Sequence, residues 1–142
     1  MIRIIAGGKK NRAWLAEACG EYEKRLRRPY VLSWQLVDEA ELEAKVTALS
    51  RDVLVVLLDE RGELLTSPEL AERLESAFEA GREVAFVLGG AFGHFSPALQ
   101  ARANLVLSLS KMVLPHQLCR LVLVEQLYRA QEINLGRPYH HA

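Results

Sequence analysis

The chain is poor in several things, and each scarcity excludes a class of protein. Only two cysteines, Cys19 and Cys119, occur in 142 residues. That excludes a disulfide framework, and both thiols fall at apolar helical positions, as core thiols of a cytosolic protein do. The four histidines, His94, His116, His140 and His141, are not spaced with either cysteine as zinc ligands, so no metal site is expected. No apolar run approaches the ~18 residues of a membrane helix. The longest, within Arg51 to Leu58, is strand-sized. The opening stretch, Met1 to Ala6, is too short for a signal peptide, which makes a cytoplasmic location the expectation. Neither sign of charge prevails: 18 Lys and Arg face 18 Asp and Glu, for a net charge of zero. Proteins that grip nucleic acid along its backbone are usually basic. Contact with RNA would therefore need local patches. Lys9, Lys10 and Arg12 form one candidate. Lys24, Arg25, Arg27 and Arg28 form another, which also reads as cations at the negative end of a helix. Internal repeats, low-complexity tracts and linkers are absent too, so residues 1–142 are read as one domain.

What is present is a regular alternation of elements. Ile2 to Ala6 reads as a buried strand broken by Gly7-Gly8. Asn11 is placed to cap a helix bearing Trp14, Leu15, Ala18, Tyr22 and Leu26 on one side, ended by Pro29. Tyr30 to Val37 alternates as a second strand. Asp38 with Glu41 resembles a capping box ahead of a short helix to about Ser50. Val53 to Leu58 is a continuous apolar run, as in a strand buried on both faces. Asp59-Glu60-Arg61-Gly62 reads as a turn. Ser67-Pro68 opens a helix with Leu70, Leu74 and Phe78 inward. Glu83 to Leu88 is the fourth strand, and Ser96-Pro97 opens a short helix to about Arg102. Asn104 to Leu109 is the fifth strand. Pro115 begins a last helix running to about Leu135, with Leu118, Leu121, Val122 and Tyr128 recurring at helical spacing and Gly136 as its stop. Strand–helix alternation of this kind predicts an α/β fold: a mostly parallel sheet with helices on both faces.

The chemistry concentrates at the ends of these strands. Gly89-Gly90-x-x-Gly93 follows a strand but fits neither the dinucleotide nor the P-loop pattern, so it is read as a tight turn or a close backbone approach to some other ligand. Ser108-Leu109-Ser110-Lys111-Met112-Val113-Leu114 joins a strand to a helix at the carboxyl edge of the sheet, where open α/β sheets bind ligands. Capping chemistry alone would also suit its serines. Cys119 and His116, three apart on one helix, could touch as a catalytic pair, although Cys119 stands beside Leu118 and Val122 as a packed thiol would. Glu125 and Arg129 read as an ordinary i,i+4 pair. The tail Arg137-Pro138-Tyr139-His140-His141-Ala142 carries an aromatic ring and proton-handling groups past a helix break, which suits a nucleobase site.

Leu88-Gly89-Gly90-x-x-Gly93, Leu107 to Gln117, Arg120, Val124 to Ala130 and Pro138-Tyr139-His140 together resemble the ribosomal RNA large subunit methyltransferase H family of the SPOUT superfamily. The resemblance runs almost continuously from Val87 to His140. It is thinner earlier, at Gly8-Lys9, Glu21 to Leu26 and Leu58-Asp59-x-x-Gly62. It implies a fold with a C-terminal trefoil knot and a homodimer. The implied activity is transfer of a methyl group from S-adenosylmethionine to N3 of a pseudouridine in helix 69 of 23S rRNA, in the assembled ribosome. The implied cofactor site is Leu58, Gly89, Gly90, Leu109, Ser110, Lys111, Met112, Val113 and Leu114. Tyr139, His140 and His141 are expected to act catalytically across the dimer interface: Tyr139 stacking on or orienting the base, His140 accepting the N3 proton, His141 positioning the RNA. Two departures from the family stand out. The region between the second and third strands is short, and His141 stands where the family carries Arg or Lys. A ribosome-binding protein without catalysis and a thiol hydrolase using Cys119 and His116 are the competing readings.

Overall fold

The computed structural model describes residues 1–8, 10–89 and 95–141. Five strands form one sheet: β1 (Ile2–Gly7), β2 (Leu32–Val37), β3 (Leu54–Leu64), β4 (Val84–Leu88) and β5 (Leu105–Ser108). Their order across the sheet is β2-β1-β4-β3-β5, and every neighbouring pair runs parallel. Parallel neighbours need crossovers, and the helices supply them: α1 (Ala13–Glu23), α2 (Leu42–Thr47), α3 (Ser67–Glu79), α4 (Pro97–Arg102) and α5 (His116–Asn134). The expected α/β architecture, with helices on both faces, is the observed one.

Successive strand residues point to opposite faces, so each central strand feeds two cores. Ile4, Val56 and Phe86 pack with α1, α3 and α5, through Leu15, Leu74, Leu123 and Leu127. Ile5, Val55, Leu57 and Val87 pack on the other face with Leu42 and Val46 of α2 and Leu99 of α4. This explains why β3 and β4 read as unbroken apolar runs.

Several boundaries differ from expectation for identifiable reasons. Asp59 to Gly62 does not end β3. Leu58 and Glu63 both pair with Leu107, so the intervening residues bulge out of a continuing strand. Within the bulge the Asp59 carboxylate accepts from the Arg61 backbone N–H at 2.9 Å, which is the turn chemistry the sequence displayed. Gly62 is required there: a Cβ would lie 2.7 Å from the Val106 carbonyl oxygen and 2.8 Å from the Leu107 carbonyl carbon of β5. Gly62→Ala should therefore destabilise the protein by about 1–3 kcal/mol, read as a lowered urea midpoint; an unchanged midpoint would mean β5 moves aside freely.

Asn11 does not cap α1. Arg12 stands at the N-cap, and the Asn11 side chain instead accepts from Arg120 at 2.9 Å. Trp14 faces solvent, half exposed. The Asp38 capping box does not form, because Asp38 precedes a 3₁₀ turn, Glu39–Glu41, without a side-chain cap. A capping box does form at α3, one residue ahead of the expected start, between Thr66 and Glu69. On α5 Tyr128 is buried as expected and Leu121 partly so, while Leu118 is exposed; the buried stripe is otherwise Gln117, Arg120, Leu123, Val124, Leu127, Ala130, Gln131 and Glu132. That helix is packed by both α1 and α3, so its buried stripe is wide and takes in polar groups. Gly136 follows as expected, with φ of 70°.

Candidate functional site

The sheet brings together sequence-distant residues at its carboxyl edge. Leu58 pairs with Leu88 of β4 on one side and with Leu107 of β5 on the other. Gly89 is the residue after β4, and Leu109 the residue after β5. Adjacent strands lie about 4.8 Å apart, so Leu58, Gly89 and Leu109 share an edge roughly 10 Å wide. Gly90 lies outside the described residues, as do Ala91 to His94.

The loop beyond β5 is shaped by its serines. The Ser108 hydroxyl donates to the Ser110 carbonyl at 2.8 Å, and the Ser110 Oγ accepts from the Met112 N–H at 2.9 Å. These local bonds replace strand pairing and turn the chain toward α5. Leu109, Ser110 and Leu114 are half-buried, whereas Lys111, Met112 and Val113 are exposed, Met112 by 77% and Val113 by 76%. Among the described residues the edge thus offers apolar side chains, backbone groups, the Lys111 cation and the Asp59–Arg61 pair. Among the described residues no group of three His, Cys, Asp or Glu is arranged to hold a metal ion. Apolar side chains and backbone groups of this kind suit an adenosyl group, read through its base edges. Of the cofactor residues expected from the sequence, Leu58, Gly89 and the Leu109–Leu114 loop lie side by side at this edge.

The start of α5 is tied to the start of α1. Gln117 Oε1 accepts from the Arg12 N–H at 3.2 Å, and Arg120, fully buried, donates to the Gly7 carbonyl at 3.3 Å as well as to Asn11. Both residues stand in the family resemblance, where neither was given a role. They fix the loop and the helix that follows it to the carboxyl end of β1. A polar residue on the buried stripe of a helix would have been the signal.

The tail is not loose. Tyr139 packs edge-on against Tyr128, centroids 4.8 Å apart, and its hydroxyl donates to Glu125 Oε2 at 2.8 Å. The Arg129 guanidinium lies 4.8 Å over the Tyr139 ring, donates to Glu125 Oε2 at 2.8 Å, and sits 3.0 Å from His140 Nδ1. Burial first, and then the Glu125 carboxylate, push the Tyr139 phenol well above its ordinary range, so it stays protonated. Arg137 pairs with Glu132 at 3.2 Å. His141 is exposed. Glu125 and Arg129, read from the sequence as an ordinary i,i+4 pair, and Tyr128, read as a helical apolar position, are what hold Tyr139 and His140.

The basic stretch at the end of α1 is held in the same way. Gln131 Oε1 accepts from the Arg27 N–H at 2.7 Å, and its Nε2 donates to the Arg25 carbonyl at 3.1 Å. Lys24 pairs with Glu21. Lys9 of the other basic candidate lies outside the described residues.

The cysteines argue against thiol chemistry. Burial pushes the Cys19 thiol up to about 11, and burial raises that of Cys119, which donates to the Leu114 carbonyl at 3.6 Å. An activated thiol is shifted downward. Iodoacetamide at pH 7.5 should label Cys19 at least tenfold more slowly than an unfolded control, because the thiolate fraction falls tenfold per pKa unit; equal rates in a mass-spectrometric time course would contradict the burial.

Three likenesses bear on these features. A family model described as Predicted SPOUT methyltransferase matches residues 1–140. Ribosomal RNA large subunit methyltransferase H of Burkholderia mallei (strain SAVP1) is 39% identical over 155 residues, covering 99% of each chain, and that of Burkholderia pseudomallei (strain K96243) matches to the same extent. The 155 aligned positions exceed the 142 residues of this chain, so the relatives carry residues it lacks. A crystal structure of a putative methylase family protein from Neisseria gonorrhoeae shares the fold, with a TM-score of 0.60 at 16% identity, covering 99% of this chain and 85% of that one. A match that spans the sheet, the loop after β5 and the tail together places this chain in the SPOUT methyltransferases, in the ribosomal RNA large subunit methyltransferase H family.

Proposed function

We propose that this protein transfers the methyl group of S-adenosylmethionine to N3 of a pseudouridine in helix 69 of 23S rRNA, in the cytoplasm, on the assembled ribosome. The observation that carries the reading is the meeting of Leu58, Gly89 and the Leu109–Leu114 loop at one sheet edge, in a chain of this family. Bound there, the cofactor would supply an electrophilic methyl carbon. The chain's own residues would then orient and enclose. Leu58, Leu109 and Leu114 would flank the adenosyl group, and backbone groups of the loop would read its edges. No acid or metal would be needed, since the bound cofactor would leave as a neutral thioether and the N3 proton would pass to solvent.

A C-terminal trefoil knot accompanies this proposal. The position of α5 supports it: the chain leaves β5 at the edge of the sheet and continues into a helix packed against both α1 and α3.

The working form is a homodimer in which each tail completes the other subunit's site. Glu125 lies nine residues beyond His116 on α5, about 14 Å along the helix axis at 1.5 Å per residue. Tyr139 and His140 are fastened at Glu125 and Arg129, which sets them apart from their own cofactor loop. Exposed Met112, Val113 and Leu118 leave apolar surface at the other end of α5. Two-fold pairing would cover that surface and bring a partner's tail to each loop. Tyr139 anchors the tail, and His141 positions RNA.

Ribosomes lacking the modification, incubated with the protein and methyl-labelled cofactor, should take up label. Zero net charge gives little non-specific RNA affinity, so an isolated helix 69 hairpin should take up far less. Equal uptake by the hairpin would contradict the ribosomal substrate.

A further inference from the structure

The contact between Arg129 and His140 decides which nitrogen of His140 carries a proton. Nη1 of Arg129 lies 3.0 Å from Nδ1 of His140. A guanidinium has only donors. Nδ1 must therefore accept, and in a neutral imidazole the proton then resides on Nε2. Arg129 has little freedom to do otherwise. Its Nε and Nη2 donate to the Glu125 carboxylate at 3.4 and 2.8 Å, and its face is covered by the Tyr139 ring. Glu125 holds Tyr139 as well, so one carboxylate orients the guanidinium and the ring that fixes the tail.

We propose that Arg129 is a positioning residue that presents His140 to the substrate with Nε2–H outward, as a hydrogen-bond donor and not as a proton acceptor. To act as base at Nε2, His140 would need its proton on Nδ1, pointing at an N–H of Arg129. Donor would face donor at hydrogen-bond distance. His140 therefore holds an acceptor of the substrate, a base carbonyl or a phosphate oxygen, and the N3 proton leaves elsewhere. This revises the role expected of His140 from the sequence. It rests on the methyl-transfer reading for its consequence but not for its geometry.

Two measurements on the full-length protein test it. Long-range proton–nitrogen correlation spectra should show His140 in the Nε2–H form, with an Nδ1 resonance displaced by hydrogen bonding. Arg129→Met should remove that displacement, and Arg129→Lys should retain part of it. An Nδ1–H form in the native protein, or an Nδ1 resonance indifferent to both substitutions, overturns the proposal whether or not the protein methylates RNA. In the transfer assay, His140→Gln places an amide N–H near the position of Nε2–H and should stay within about tenfold of native kcat, the worth of one hydrogen bond. His140→Ala should lose about a hundredfold, as misplaced reactants do. Glutamine as inactive as alanine would identify His140 as the base and overturn the assignment. Absence of transfer by the native protein would defeat the methyl-transfer reading, and the spectra would still decide the orientation of His140.

Discussion

Deleting residues 138–142 is expected to reduce methyl transfer at least about a hundredfold while the fold and cofactor binding persist. The tail contributes Tyr139 to the edge of the core, in an aromatic pair with Tyr128 and a hydrogen bond to Glu125. Such a pair is worth about 0.5–1.5 kcal/mol beyond its buried area, so the truncated chain should melt a few degrees lower and remain folded. Its cofactor edge, built by β3, β4 and β5, is untouched. What is lost is orientation of the substrate, and displacement of reacting groups by about 1 Å costs on the order of a hundredfold. The same deletion separates action within a subunit from action across the dimer. Mixed with Gly89→Val chains, truncated chains should form heterodimers with one working site, made from the truncated chain's pocket and the other chain's tail. The other site has a blocked pocket and no tail. Wholly inactive heterodimers, with each parent dimerising normally, would mean that each tail serves its own subunit.

Gly89→Val is expected to abolish S-adenosylmethionine binding in calorimetry without unfolding the protein. Gly89 stands one residue past β4, beside Leu58 and one strand removed from the end of β5. A branched side chain there would occupy the space shared by backbone and ligand. The core beneath is supplied by Phe86 and Val87 and does not depend on position 89. Near-native affinity in the variant would move the pocket away from this edge.

The parts legible in the sequence were those set by local chemistry. β4 and β3 as far as Leu58 announced themselves as apolar runs because both faces are buried, and Gly136 ended α5 because a positive φ suits glycine. The strand order was not legible, since alternation says which elements exist and not which lie side by side. The continuation of β3 was hidden because Asp59 to Gly62 carry real turn chemistry, used here for a bulge. The cofactor edge came from resemblance, and the register of β3 with β4 and β5 gives it a physical basis. Glu125 and Arg129 form the expected i,i+4 pair, but its hold on the tail was not legible, because such a pair looks the same whether it faces water or clasps a residue fourteen positions away. Arg120 and Gln117 stood in the resemblance without a role, because the partners that explain them, Gly7 and Arg12, are distant in sequence.

The edge formed by Leu58, Gly89 and the Leu109–Leu114 loop is proposed to deliver a methyl group to one base of the ribosome. Ribosomes lacking the modification should be incubated with the protein and S-adenosylmethionine bearing a heavy-isotope methyl group, and nucleosides from helix 69 analysed by mass spectrometry. The account predicts a single labelled nucleoside, an N3-methylated pseudouridine, formed by the native protein and absent with Gly89→Val. Label on a different nucleoside, or none in helix 69 while the protein binds both cofactor and ribosome, would contradict it.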